Sequence, residues 1–203
     1  MTDNLRTHDR LLKAAVDVID SAGIKELKIR DVAAMAGVKV PSVYHFFGNR
    51  DGLVEEAQAF RYTRGLLELT QVFDEQVRNC SNIEEFIAVI REVTALVFSD
   101  DRYSTRAVRA DVLGSAMSRP KLKSAVAAAQ RKSHDLLSSA LNFAQERGWV
   151  LPELDTMAFS VWYTGMVNGR LVYEIDPAQC SGQAWNNLAT ELTVSALCGP
   201  VKK

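Results

Sequence analysis

Between Lys28 and Arg50 the chain gathers residue types suited to holding nucleic acid: Lys28, Lys39 and Arg50 as cations, and Ser42, Tyr44 and His45 as short or aromatic hydrogen-bonding groups. Cations attract phosphate oxygens, while hydroxyl and imidazole groups reach phosphates or base edges in a groove. With Arg30 and Asp31 included, the window holds four basic residues and one acidic, whereas the whole chain is formally at −1. Local charge is what a DNA surface meets.

Two short helices must present these groups. Ile29, Val32, Ala33 and Ala36 recur at three-and-four spacing, which makes one face of the first helix apolar. Gly37 supplies the turn, because a residue between two tightly crossed helices usually takes a left-handed backbone that glycine adopts without penalty. Val38 is placed to plug the angle between them, and Pro41 suits the first turn of the second helix, where a missing N–H costs nothing. Within that helix Val43, Phe46 and Phe47 are expected to turn inward, leaving Lys39, Ser42, Tyr44 and His45 outside. Asn49 then caps a third helix, with Asp51 favourably in its first turn. A helical hairpin alone occurs in many all-helical proteins; the tyrosine, histidine, aromatic and arginine in register give this one its chemistry.

On AGV at 36–38, VYHFF at 43–47 and NRDGLV at 49–54, the chain resembles the tetracycline-repressor (TetR) family of bacterial transcriptional regulators. The resemblance covers about the first quarter of the chain. It implies that the helix from Val40 to Phe46 enters the major groove, that Tyr44 and Arg50 contact phosphates, and that the protein works as a dimer. The expected DNA-facing set is therefore Lys28, Lys39, Val40, Pro41, Ser42, Tyr44, His45 and Arg50. Two positions depart from the family. Where it commonly caps its two helices with Ser or Thr, this chain has Lys28 and Lys39, forgoing caps worth about 1 kcal/mol each but adding charge beside the phosphates.

The remaining composition narrows the class. A chain of 203 residues, 47% hydrophobic and 24% charged, can bury a sizeable core in one or two domains. No apolar run is long enough to span a bilayer, and MTDNLRTHDR lacks the apolar core of a secretion signal, so a soluble cytoplasmic protein is expected. Cys80, Cys180 and Cys198 are odd in number and widely spaced, which suits reduced thiols. With His8, His45 and His134 they form no metal-ligand spacing, and neither a metal nor a cofactor is expected.

The pattern reads as all-α with about nine helices: a three-helix helix-turn-helix domain over 1–50, then a helical effector-binding and dimerisation domain over 51–203. The first helix runs from about Leu5 to Ala22, with Leu12, Ala15, Val16 and Ile19 on one face and Gly23 as its stop. The helix capped by Asn49 is expected to continue through Leu53, Val54, Ala57 and Phe60 to about Val77. Others follow at Ile83–Phe98, Arg102–Ala116, Lys121–Arg147, Thr156–Glu174 and Gly182–Leu197; Pro120 opens the long one, Gly148 closes it, and Asp155 caps the next.

The resemblance implies that the last two helices form the dimer interface. Gly165 and Gly169, one turn apart, would let another helix approach closely, either within one subunit or between two. For an effector pocket the candidates are Tyr62, Phe98, Tyr103, Met117, Phe143, Phe159, Trp162, Tyr163, Met166 and Asn168. An aromatic or methionine at helical spacing is more often packing than ligand contact, so only a minority should line a pocket. Asn168 stands out as polar within an apolar helix. Arg102, Arg106 and Arg109 align on one helix as a basic stripe open to an acidic ligand, with a solvated face as the expected reading.

No Gly-x-Ser-x-Gly elbow, phosphate-cradling glycine loop, His-Glu-x-x-His pair or adjacent Cys and His is present, and no catalytic residue is expected. The expected function is that of a homodimeric regulator bound to a palindromic double-stranded operator, a repressor released by a small-molecule effector and not membrane-bound. A helical interaction module without DNA binding and a helical enzyme acting on small molecules are the alternatives.

Overall fold

The computed structural model describes residues 2–63 and 66–199, apart from the side chains of residues 2–5, 66 and 68. Among these residues there are ten α-helices and two short 3-10 turns, without a strand. The helices are α1 (Thr2–Ala22), α2 (Ile29–Met35), α3 (Val40–Phe47), α4 (Arg50–Thr63), α5 (Leu66–Asn79), α6 (Ile83–Val97), α7 (Tyr103–Ala116), α8 (Pro120–Glu146), α9 (Thr156–Ile175) and α10 (Gly182–Cys198). The 3-10 turns are at Ile24–Glu26 and Asp100–Arg102.

Local signals place most ends. Asp155 and Asn82 accept from Ala158 N and Glu85 N at 2.9 and 2.8 Å, filling orphan donors at the starts of α9 and α6. After α8, Gly148 takes φ 74°, and Trp149 N returns to Ala144 O at 3.0 Å. The helix expected from Asn49 to about Val77 is described as α4 and α5, on either side of Arg64 and Gly65, which lie outside the described residues.

The chain divides into two compact units, Met1–Arg64 with Asp111–Ala127, and Gly65–Ala110 with Ala128–Lys203. This differs from the expected division after residue 50. The reason is packing: α4 joins the core of the first unit through Leu53, Val54 and Ala57, which meet Leu11, Ala15 and Ile19 of α1. Burying these side chains contributes roughly 1.5–3 kcal/mol for each large aliphatic one. Arg61 of α4, nearly buried, donates to Asp20 of α1 at 2.7 Å and to Asp111 of α7 at 3.1 Å, tying three helices of this unit together.

The second unit has its own core, including Phe73, Phe86, Ile90, Leu141, Phe159, Val194 and Leu197. It also buries two guanidinium groups, which only paired charges make tolerable. Arg106 and Arg170 share the Glu174 carboxylate, at 3.0 and 3.1 Å from their Nε atoms. Arg106 further donates to the Val97 and Ser99 carbonyls, and Arg170 to Asp100. The expected solvated stripe is thereby corrected: Arg106 and Arg109 are both buried, because their face of α7 turns toward the interior of this unit.

Candidate nucleic-acid interface and effector cavity

In the first unit α2 and α3 are joined by a tight turn. Gly37 takes φ 65°, Val38 N donates to Ala33 O at 2.9 Å and Gly37 N to Ala34 O at 3.1 Å, satisfying the last carbonyls of α2. Val32, Ala33 and Ala36 are buried, with Val38 packed against the same core. Pro41 stands in the first turn of α3, as its fixed φ allows. Neither Lys28 nor Lys39 makes a side-chain cap, as expected of residues lacking an acceptor.

The orientation of α3 follows from its apolar spacing. Val43 and Phe47 are buried and Phe46 is partly so; His8 of α1 stacks on Phe47 with ring centroids 5.0 Å apart. On the other side Lys39, Pro41, Tyr44 and His45 are exposed, Tyr44 by 51%, while Val40 and Ser42 are partly covered. Lys28 and Arg30 add exposed cations at the start of α2. The result is a helix held by its apolar side that offers a hydroxyl, an imidazole and cations outward.

Arg50 is placed differently from the rest of the expected set. Its Nε donates to Leu27 O at 2.8 Å and its Nη2 to Ile24 O at 2.5 Å, closing the carbonyl end of the 3-10 turn before α2. The turn after α3 is equally constrained: a Cβ on Gly52 would lie 2.1 Å from the Phe47 carbonyl oxygen, and Gly52 N donates to Asn49 Oδ1 at 2.8 Å.

The second unit contains a cavity of about 90 Å³, walled mostly by aliphatic and aromatic carbon from α5, α6, α8, α9 and α10, with Arg109 of α7. Phe159 and Tyr163 line it. The other expected residues are elsewhere. Tyr62 is buried in the first unit, and Phe98 and Met166 belong to a small cluster with Val167 and Ala189. Tyr103, Met117 and Trp162 are exposed, Met117 by 76%, and Phe143 lies beneath the Arg147 guanidinium at 3.5 Å from its ring centroid. Asn168 is partly buried but does not line the cavity. Packing decides these outcomes, since neighbouring positions on one helix point about 100° apart.

Thr70, Thr94, Ser133 and Thr164, polar residues that line the cavity, were not among the residues expected from the sequence. Thr70 and Ser133 hydroxyls are 2.9 Å apart, and Thr94 Oγ1 is 3.5 Å from the Tyr163 hydroxyl. Burial pushes Tyr163 up to about 12, so its hydroxyl stays protonated and able to donate. His134, beside Ser133, is held below its ordinary value by burial and bonds to Thr164 at 3.1 Å. Among the described residues no group of three metal-ligating side chains occurs, and no helix is long and apolar enough to cross a membrane.

Comparison with known proteins gives this arrangement its lineage. Residues 11–57 match the model of the bacterial regulatory proteins of the tetR family. The segment is also similar to an HTH-type transcriptional regulator, BetI 1 of Chromohalobacter salexigens, at 38% identity over 48 residues, 24% of each chain. The match thus spans about a quarter of that relative's length. Over nearly the whole chain the fold is similar to a TetR-family regulator of Mesorhizobium loti, with a TM-score of 0.69 and 17% identity across 97% of this chain and 96% of that one. It is likewise similar to the regulator FadR of Bacillus subtilis in complex with stearoyl-CoA, with a TM-score of 0.63 and 18% identity across 93% and 98%. Residues 11–57 thus match the bacterial regulatory proteins of the tetR family in sequence, and nearly the whole chain shares the fold of these regulators.

Proposed function

We propose that this protein is a cytoplasmic, homodimeric transcriptional repressor that leaves a palindromic operator when a small organic molecule occupies the second unit. The observation that carries the DNA reading is the outward face of α3, with Lys39, Pro41, Tyr44 and His45 exposed over a buried Val43 and Phe47. Lys28 and Arg30 extend that face with positive charge suited to flanking phosphates. The match of residues 11–57 to the tetR family model favours a binding role over an enzymatic one.

Dimerisation through α9 and α10 is supported by an apolar row. Met157, Val161, Val172 and Ile175 on α9 and Leu188 and Leu192 on α10 are exposed, Ile175 by 84%. Gly165 and Gly169 fall on the same row, and nothing lies within 4 Å of where their Cβ atoms would be. Close packing inside the subunit therefore does not account for these glycines, and approach by a second copy does. Exposed apolar side chains gathered along one row favour a protein partner there.

Release follows from linkage. A ligand that prefers the conformation in which the two recognition helices are wrongly spaced weakens operator binding by its differential affinity for the two states. Helix α7 is suited to carry this effect, because Arg109 lines the cavity and Asp111, two residues on, accepts from Arg61 of α4. The cavity, together with the stearoyl-CoA complex of a protein of the same fold, supports a small organic effector.

Selection of random duplex DNA by the purified protein tests the reading. A palindromic motif with half-sites about one turn (roughly 34–36 Å) or slightly more apart is expected from two equal helices related by a two-fold axis. A folded dimer that enriches nothing would overturn it and favour an interaction module or an enzyme.

A further inference from the structure

We propose that His8 of α1 is the positioning residue of the recognition helix: its ring sets the rotation of α3 about its own axis and, through Phe46, the aim of His45. The inference rests on reading the outward face of α3 as the DNA surface, and it names what decides how selectively that face reads.

Helix α3 has little of its own to fix its rotation. It is eight residues long, and glycines with φ 65° and 73°, Gly37 and Gly48, stand in the turns on either side. Burial of Val43 holds it against the core, but apolar burial is non-directional and does not dictate roll. Two flat rings set at an angle do. Phe46 and Phe47 are adjacent, so they point about 100° apart, and His8 touches both. Its ring stacks on Phe47 with centroids 5.0 Å apart and planes 26° apart, and meets Phe46 edge-on at 5.7 Å and 77°. Aromatic pairs favour these offset-stacked and edge-on arrangements. Rolling α3 one way takes Phe47 out of its stack, and rolling it the other way drives Phe46 into the imidazole.

The wedge is itself held. His8 Nε2 lies 3.0 Å from a Glu56 carboxylate oxygen on α4, which only accepts, so Nε2 is the donor. Asp9 stands 3.5 Å from Nδ1. Helices α1 and α4 are joined through Leu11, Ala15, Leu53 and Ala57 and by the Arg61–Asp20 pair, so the ring is fixed to that frame and α3 is set against it.

The row of rings continues to the outer face. His45, exposed, meets Phe46 edge-on with centroids 5.0 Å apart and planes 71° apart, so a displaced Phe46 displaces His45. Lys28 and Lys39 reach phosphates on flexible stems and tolerate a small roll of α3, whereas hydrogen bonds to base edges do not. His8 therefore governs discrimination between sequences more than affinity for DNA as such.

The quantity to measure is the affinity of the full-length protein for the duplex it selects, divided by its affinity for an unrelated duplex of the same length. His8→Ala should contract this ratio by about tenfold or more, the scale of one lost base contact, while affinity for the unrelated duplex and its salt slope are retained. Glu56 is exposed, so its variants leave the core intact: Glu56→Leu should contract the ratio, and Glu56→Gln, which keeps an acceptor for Nε2, should restore most of it. A merely structural role would lower the thermal midpoint and leave the ratio of the folded protein unchanged. In the free protein the imidazole resonance of His45, one of three histidines in the chain, should shift in His8→Ala because its seat against Phe46 changes.

An unchanged ratio in folded His8→Ala, an equal loss on both duplexes, or an unmoved His45 resonance would each overturn the proposal. A wild type that selects no duplex removes the DNA reading and this inference with it. A wild type that discriminates beside a His8→Ala that discriminates equally removes this inference alone.

Discussion

Arg50 combines a charge legible in the sequence with hydrogen-bond partners that were not. Its place at the head of α4, beside Tyr44 and His45 in sequence, suggested a phosphate contact, yet its guanidinium donates to the carbonyls of Leu27 and Ile24. Hydrogen bonds from a charged donor are each worth roughly 1.5–3 kcal/mol, so Arg50→Ala should destabilise the first unit by about that much. Chemical denaturation would show a lower midpoint, with Arg50→Lys between the two. An unchanged midpoint with weakened DNA binding would restore the phosphate role. The sequence could not reveal this, because the acceptors are backbone carbonyls more than twenty residues away. Tyr44 was legible for the opposite reason: its exposure depends only on the register of Val43 and Phe47 within one short helix.

Among the elements, the α2–α3 pair was the most legible because its signals are local: Gly37 for the left-handed turn, Pro41 at the helix start and apolar spacing on both sides. Helices α6 to α10 were also legible, within a few residues at each end, from caps and glycine stops. The cavity was not, because six helices assemble it and its aliphatic lining residues are indistinguishable in sequence from ordinary core. Trp162 and Tyr163 are adjacent, and only packing decides that Tyr163 faces the cavity and Trp162 the solvent. The α8–α9 contact yields a prediction of its own. Burial lowers His134 from its ordinary 6.5, so above that pH folded and unfolded states both carry a neutral imidazole and nothing is lost. As pH falls below 6.5 the unfolded chain takes up a proton that the folded state resists, and stability declines until the folded group also titrates. Urea midpoints at about pH 7.5 and 5.5, one unit either side of the ordinary histidine value, should differ more for the wild type than for His134→Gln. Equal pH dependence in the two proteins would remove His134 from this role.

At the scale of the whole molecule, the proposed dimer would link two equal recognition helices, through the apolar row on α9 and α10, to a proposed ligand site in each second unit. The dimer is testable by sedimentation. Val161→Glu with Val172→Glu places charge in the row and should yield monomers that keep their helical content, because both side chains are exposed in the protomer. Dimers that persist would move the interface elsewhere. The central claim, that the outward face of α3 holds DNA, is tested most directly by titrating the selected duplex at increasing salt with the wild type and Lys39→Ala. Log affinity is expected to fall linearly with log salt, with a slope shallower by about one for the variant, one phosphate contact having been lost. The same slope and the same affinity in both proteins would contradict it.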